Sequence, residues 1–462
     1  MKYPMRRRVL DITPVYVDKR KGIFDTNRIG DEMVWATKTK GLELTKTTGH
    51  PPPRKPQIRG RAPATKAITF TPAELFGAMA KCSHLHVVNS AAVTSESETC
   101  RHLLNEYVDD DDDSFAILET ADRLKDFSRT HLAGVVGAGI SYLQMIRDGY
   151  TWCDHFENMS LAGAAPTKKS PDFVFSRRDD KTVALTESKA TRGSSRKQFD
   201  TTVRRGYLQQ VSPYLGMRVG SSVASHGFAI GSWMTSAKRA EIVIHHTAPP
   251  SGNGDGSDEG ADPTEVRRGN YLNALTLLLG PDVSRAALSG EWSARGRQFV
   301  MARWLGHEWL LGFAPFHSPY VFDEEDKILW ENSHKLAPSL WGFNRFALEW
   351  NVARQFFMSL ERNDTLTNPL ENIPEMDDRL IAEARSSDSA VFPDGFAVIG
   401  KDADLELVSV NPIFPQDLEQ AKLEQEVKRI AVQGSEVERL GWDEATTKEE
   451  EEKQLQQVWL TD

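Results

Sequence analysis

Cysteine is scarce in this chain: Cys82, Cys100 and Cys153 are the three among 462 residues. They fall at no framework spacing, which argues against a disulfide-stapled scaffold and suits a reducing compartment, so a cytoplasmic location is expected. Long apolar runs are missing too. No segment approaches the roughly 18 uninterrupted apolar residues of a membrane-crossing helix. The basic opening MKYPMRRRVLDITPVYVDKR is not followed by the apolar stretch of a secretory signal. No membrane partner is expected. Nor is there an overall excess of positive charge. The formal charge of -10 at pH 7 argues against a basic-coated protein of the histone or ribosomal kind. No Ser-His-Asp order stands out either.

The charge that is present is unevenly spread. Residues 1–66 carry 16 Lys and Arg against 6 acids, and residues 416–462 carry 6 against 13. In between, residues 168–241 hold 14 basic side chains against 6 acidic ones, a local excess that would draw phosphate. Residues 1–66 are rich in Pro, Thr and basic residues, show no helical or strand period, and read as a mostly irregular basic arm able to touch DNA. Residues 67–129 read as a helical N-terminal region. Its first helix starts at TPAELFGAMAKC, with Thr71 as N-cap, Pro72 at N1 and Glu74 at N3, and a second runs from Ser114 to about Phe127. The acid run Asp109 to Asp113 reads as a solvated loop at that helix's N-terminus, where negative charge is favoured.

Residues 130–247 carry the chemistry. HLAGVVGAGISYLQMIR (131–147) reads as an apolar helix, although VVGAGIS also resembles the phosphate loop of a dinucleotide-binding fold. Tyr142 stands where that loop's third glycine belongs, and KDFSRTHLAG makes a poor buried strand, so small residues on a closely packed helix are the simpler account. Three strands follow, at 150–158, 172–177 and 181–190, then an amphipathic helix at 196–215 and two more strands at 226–236 and 239–247. This order is that of an α/β fold. Because strand side chains alternate, Glu187 and Lys189 share a face with Leu185 while Ser188 points away, and the hairpin at Asp179–Lys181 can bring Asp172 beside them. Two neighbouring carboxylates repel, but together they bind a hard divalent cation such as Mg²⁺ or Mn²⁺. Such a cation polarises a phosphodiester and activates water, and Lys189 can orient that water or neutralise developing charge. Arg196, Lys197, Arg204 and Arg205 on the following helix read either as its solvated face or as a phosphate track.

Pro171-Asp172 followed by Glu187-Ser188-Lys189 resembles the PD-(D/E)xK signature of the restriction-endonuclease-like nuclease superfamily, over roughly residues 130–247. The resemblance implies a mixed sheet flanked by helices, α+β overall. It implies Asp172 and Glu187 as metal ligands and Lys189 as a catalytic residue. Gln210-Val-Ser-Pro-Tyr214 has the spacing of the Gln-xxx-Tyr element of the RecB-like branch, which adds Gln210 and Tyr214 to the catalytic set. Pro213 departs from a regular helix there, so Gln209 or a local kink competes for the role. The branch's upstream acid has no evident counterpart: Glu119 precedes the first core helix, and Gln144 is the polar residue on it.

Other sites are weaker. Cys82, His84, His86 and Cys100 could supply zinc ligands but lack a paired knuckle. His307-Glu308 lacks the second histidine of a metalloprotease helix, and His245-His246 read as surface groups at a strand end. Residues 248–265 read as a flexible loop, and 266–415 as an accessory α+β region with core tryptophans. Residues 416–462 read as an acidic tail, solvated or offered to a protein partner or a homo-oligomer. The expectation is a metal-dependent nuclease acting on DNA, with RNA as the alternative substrate, and family analogy suggests bacterial defence or DNA processing. Two rivals stand beside it: a catalytically silent nucleic-acid-binding or scaffold protein of the same fold, and a dinucleotide-dependent oxidoreductase.

Overall fold

The computed structural model describes residues 39–410, leaving out 54–61, 65, 84–89, 110–111, 179, 194, 237–238, 249–260, 292–299, 314–342, 362–368 and 401–402. The acidic tail, most of the basic arm, most of the 248–265 loop, and His84 and His86 of the zinc candidate lie outside the described residues.

A mixed sheet carries the first half of the chain. Its strands are β1 (Lys40–His50), β2 (Ala67–Phe70), β3 (Trp152–His155), β4 (Phe173–Ser176), β5 (Thr182–Thr191), β6 (Arg218–Val219), β7 (Ser222–Ser236) and β8 (Arg239–Thr247). The order is β2-β1-β8-β7-β5-β4-β3, with β6 beside β7. β5 runs parallel to β7 and β1 parallel to β8, while the other pairs are antiparallel. Parallel neighbours need a crossover, and helix α4 (Arg196–Gly206) provides it between β5 and β7. The expected α/β class is therefore what the chain forms.

Helices α1 (Pro72–Ser83), α2 (Ser90–Tyr107) and α3 (Asp126–Arg147) precede the central strands. The cap expected for α1 is formed reciprocally: Thr71 N donates to Glu74 Oε2 at 2.9 Å, and Glu74 N donates to Thr71 Oγ1 at 3.2 Å. The glycines of VVGAGIS lie inside α3, which rules out their use as a phosphate loop. They let the helix close on its neighbours: a Cβ at Gly137 would stand 2.3 Å from Ala190 Cβ, and one at Gly139 2.7 Å from Met79 Cγ.

The C-terminal strands β9 (Val300–Trp304), β10 (His307–Phe313), β11 (Phe343–Glu349), β12 (Ala390–Val391), β13 (Phe396–Val398) and β14 (Glu406–Val410) form an antiparallel sheet in the order β12-β13-β11-β10-β9-β14. Helices α5 (Thr264–Leu279), α6 (Pro281–Ser289), α7 (Trp350–Glu361) and α8 (Asp378–Ala384) accompany it. Its inner face joins the main core, where Phe76 of α1 stacks on Phe346 at 5.5 Å. Its other face buries a smaller cluster that includes Trp304, Trp309, Leu311 and Leu380. The region after residue 265 thus shares its core with the first sheet.

Three local expectations are corrected. Lys40–His50, assigned to the irregular arm, is a strand held on both sides, by β2 and β8, so backbone pairing replaces the apolar alternation it lacks. Ser114 to Phe127 is not a helix. Phe115 N donates to Gly41 O at 2.8 Å and Leu118 N to Tyr107 O at 2.7 Å, which leaves only a 3₁₀ turn at Glu119–Arg123 before α3. The helix expected over 196–215 ends at Gly206 and continues as a π turn (Tyr207–Val211) and a 3₁₀ turn (Ser212–Tyr214). Pro213, which cannot donate to the preceding turn, lies in that last segment.

Candidate active site

Strand alternation places Glu187 and Lys189 on one face of β5 and Ser188 on the other. Ser188 faces α3, where Ser141 Oγ donates to its hydroxyl at 2.9 Å. Glu187 and Lys189 face the end of α4, and Gly206 sits over both: a Cβ there would approach Glu187 Cγ to 3.2 Å and Lys189 Cε to 3.4 Å. Glu187 is almost wholly buried. Lys189 Nζ and Gln210 Nε2 both donate to its Oε1. The other oxygen, Oε2, is buried and finds no donor among the described residues.

Asp172 enters just before β4. Its backbone N–H donates to Thr186 O at 3.1 Å, which seats it beside β5, and its Oδ2 accepts from Ser188 N at 2.8 Å. The two carboxyls are close enough to act on one another. Desolvation, and next the Asp172 charge, raise the Glu187 pKa against the opposing pull of Lys189 and Gln210. Asp172 is also raised, by desolvation, although Ser188 N–H and Lys189 work the other way. Asp172 keeps an exposed face, whereas Glu187 has almost none. One carboxylate is therefore open to solvent and the other supports it from below.

Clefts flank the end of β5 on both sides. One of about 310 Å³ is bordered by Asp172, Ser188, His155 and Glu157, and the Glu157 charge contributes to the raised pKa of Asp172. The other, about 400 Å³, runs from Lys189 past Ser195, Gln198 and Thr202 along α4. Glu157 lies about 20 residues after VVGAGIS, at the spacing of a dinucleotide fold's acid, but the structure gives it a different place. Its place beside Asp172 follows from the 3₁₀ turn after β3, which no periodicity announces.

The remaining sequence candidates divide. Gln210, not Gln209, reaches Glu187, and the π turn carries it there. Tyr214 is buried against Phe156, and its hydroxyl donates to Thr167 O at 3.3 Å instead of to the carboxylates. Gln144 donates to Asp148 at 3.0 Å at the far end of α3, so Ser141 is the α3 side chain that bonds to β5. Arg196 is engaged by Glu241 through two bonds of 2.9 Å and lies over Trp233. Lys197, Arg204 and Arg205 are exposed and form no ion pair among the described residues. At about 100° per residue, Arg205 falls on the Gln198 side of α4, next to the Lys189 groove, and Arg204 on the opposite flank. The strand-end histidines are not surface groups, since His245 and His246 are both buried.

A hard cation fits the carboxylate pair in one respect: the buried Glu187 Oε2 lacks a donor, and Asp172 stands beside it. No group of three His, Cys, Asp or Glu converges among the described residues, so protein would supply two carboxylates and water or substrate the rest. No helix among the described residues is long and apolar enough to cross a membrane. Compared with family models, curated proteins and solved structures, the chain shows no match.

Proposed function

We propose that this protein is a divalent-metal-dependent nuclease of the PD-(D/E)xK, restriction-endonuclease-like kind, hydrolysing phosphodiester bonds of DNA in a defence or DNA-processing role. The observation that carries the reading is the buried Glu187, paired with Lys189 and Gln210 on one oxygen and left without a donor on the other, beside the half-open Asp172. Asp172 and Glu187 would hold Mg²⁺ or Mn²⁺, which when bound polarises the scissile phosphate and lowers the pKa of a water. Gln210 fixes the Glu187 carboxylate through its amide. Lys189, partly exposed at the mouth of the groove, neutralises charge that develops on the phosphate oxygens. Arg205 borders that groove, and Lys197 and Arg204 add unpaired charge on α4, which suits a polyanion. The buried free thiols of Cys82, Cys100 and Cys153 accord with a reducing, cytoplasmic setting.

A second reading, a silent nucleic-acid-binding protein of the same fold, has one observation in its favour. Lys189 already pairs with Glu187, so one of the two carboxylates is compensated without a cation. Incubation with linear, circular and single-stranded DNA and with RNA, each with Mg²⁺, Mn²⁺ or EDTA, separates the two. Cleavage that EDTA abolishes is the expected result. Binding without cleavage under every condition selects the silent reading.

A further inference from the structure

A second group of titratable side chains lies on the same face of the sheet as Glu187, and the reaction proposed above does not use it. Glu187, Ala229 and His245 are register partners across β5, β7 and β8, which puts His245 two strands from Glu187, roughly 10 Å away at the usual strand spacing. Helix α4 lies over β7 between them. His50, at the end of β1, is the register partner of Thr247, and Asp200 comes from α4.

These three residues form one hydrogen-bonded chain. His245 Nε2 lies 3.3 Å from Asp200 Oδ1, and His245 Nδ1 lies 2.8 Å from His50 Nε2. Desolvation would raise the Asp200 carboxyl, but hydrogen bonds from Lys46, at 2.8 Å, and from His245 outweigh it and hold the pKa low. An ionised carboxylate only accepts, so His245 carries its proton on Nε2 and its bare Nδ1 accepts from His50. That fixes the tautomer of His50. Its Nδ1 is left as a lone pair with no partner among the described residues.

The ring is also clamped. It stacks on Tyr207 at 4.7 Å and on His245 at 5.1 Å, and the Tyr207 hydroxyl is bonded to Thr247 Oγ1 at 2.9 Å. The groups that face it are Lys46 from β1, Asp200 and Arg204 from α4, Tyr207 from the π turn after it, and His245 and His246 from β8. Lys46 is spent on Asp200, whereas Arg204 is unpaired and exposed. Desolvation, then His245, Arg204 and His246, keep His50 below the ordinary histidine value, so it rests as a neutral acceptor. Pinning β1 to the sheet would account for the stacking. It does not account for a lone pair within range of the charge of Arg204, which stands one helical turn from Asp200 and one from Tyr207, the ring stacked on His50.

We propose that His50 and Arg204 form a binding site for a phosphate group, with Asp200 supplying counter-charge through His245 when His50 takes a proton from solvent on Nδ1, keeps it, and hydrogen-bonds a phosphate oxygen through it. A polynucleotide backbone phosphate and a free phosphate monoester offer this same chemistry. The site shares Arg204 with the polyanion face proposed above but needs neither metal nor cleavage; a backbone phosphate would extend that reading by placing the nucleic acid across α4.

Histidine-selective ¹⁵N spectra of the full chain in EDTA test this without metal or cleavage, with the His50 signals identified by their loss in His50→Gln. Inorganic phosphate, and separately a single-stranded oligodeoxynucleotide, are the probes. At least one should shift the His50 signals and raise its pKa by roughly one unit, as a nearby opposite charge does. Arg204→Ala, at an exposed position that folding tolerates, should weaken that response about tenfold. A response to phosphate alone identifies a small-phosphate site, and a response to the oligonucleotide identifies the backbone; either upholds the proposal. If neither probe moves His50, or if Arg204→Ala responds like the unaltered protein, the proposal is overturned. Loss of nuclease activity would not produce that pattern.

Discussion

Lys81 on α1 and Asp394 in the turn between β12 and β13 form an ion pair whose side chains are 3 % and 0 % exposed. Asn270 Nδ2 of α5 donates to the same Asp394 oxygen at 2.8 Å, and Lys81 Nζ lies 5.2 Å from the ring centres of both Tyr142 and Phe396. One ammonium therefore joins α1, α3, α5 and the second sheet. Removing a single partner strands a buried charge, so Lys81→Met or Asp394→Leu alone should lose about 3–5 kcal/mol. The double substitution should lose clearly less than the sum, as urea unfolding would show. Additive losses would mean the pair is not coupled.

The carboxylate pair should respond to metal in a way that separates ligand from catalyst. Asp172→Ala relieves repulsion and should melt near the unaltered protein or slightly above it, whereas Glu187→Ala offsets that relief by leaving Lys189 and Gln210 without their acceptor and should melt somewhat lower; both should lose any Mn²⁺-induced rise in melting temperature. Lys189→Ala should keep that rise while cleavage falls by roughly 10². Thermal melts with and without Mn²⁺, paired with a cleavage assay, decide it.

Gly206 is a test of close approach. Its backbone is ordinary right-handed helix, so Gly206→Ala should leave stability unchanged or raise it by up to about 1 kcal/mol. The added methyl must displace Glu187 by a few tenths of an ångström and meets Lys189 at ordinary contact distance. Cleavage should therefore drop by about tenfold while the melting temperature holds. A fall in stability with full activity would contradict this packing.

Asp154 sets a pH dependence outside the site. It is buried, its Oδ2 presses on Gly269 without a donor, and desolvation pushes its pKa from 3.8 up to about 7 despite hydrogen bonds from Asn158, His155 and Asn273. A raised acid contributes fully below about pH 4, where folded and unfolded chains both hold the proton. The contribution fades as the pH rises toward 7, because the unfolded chain ionises first. Asp154→Asn should flatten that slope and gain on the order of 2 kcal/mol at pH 8 relative to the unaltered protein. Urea melts at pH 4, 6 and 8 measure it, and parallel curves for the two proteins would exclude this role.

The arginines of α4 should separate by salt dependence. Arg204→Ala with Arg205→Ala should reduce the slope of log affinity against log salt for DNA by roughly one unit or more, because fewer counterions are released. Arg196→Ala should leave the slope alone, since that guanidinium is held by Glu241. Equal slopes in all three proteins would leave α4 as a solvated face.

Much of the central fold was legible because its signals are local. Thr71 and Glu74 announce α1 three residues apart, and the alternation around Glu187 announces β5 and the face it presents. What stayed hidden was decided at a distance. β1 has few apolar residues, and its strand character comes from β8. The apparent helix at Ser114 was lost because Phe115 and Leu118 spend their backbone N–H groups on other segments. Gln210 was placed by spacing, but the π turn that delivers it to Glu187 was not. The His50–His245–Asp200 chain joins three stretches that carry no shared motif.

β1 also imposes an order on biosynthesis. His50 and His245 are 195 residues apart, and β1 pairs in parallel with a strand that emerges only after the rest of that sheet. Until Thr247 leaves the ribosome, the partners of β1 among the described residues are the short β2 and the 113–115 segment bonded at Gly41, and its second half waits unpaired. Its polar stretch Thr45 to Thr48 gives it little to aggregate with while it waits. Docking of β1 is thus a late, slow closure over a long loop, and the imidazole chain comes into being only when it is complete.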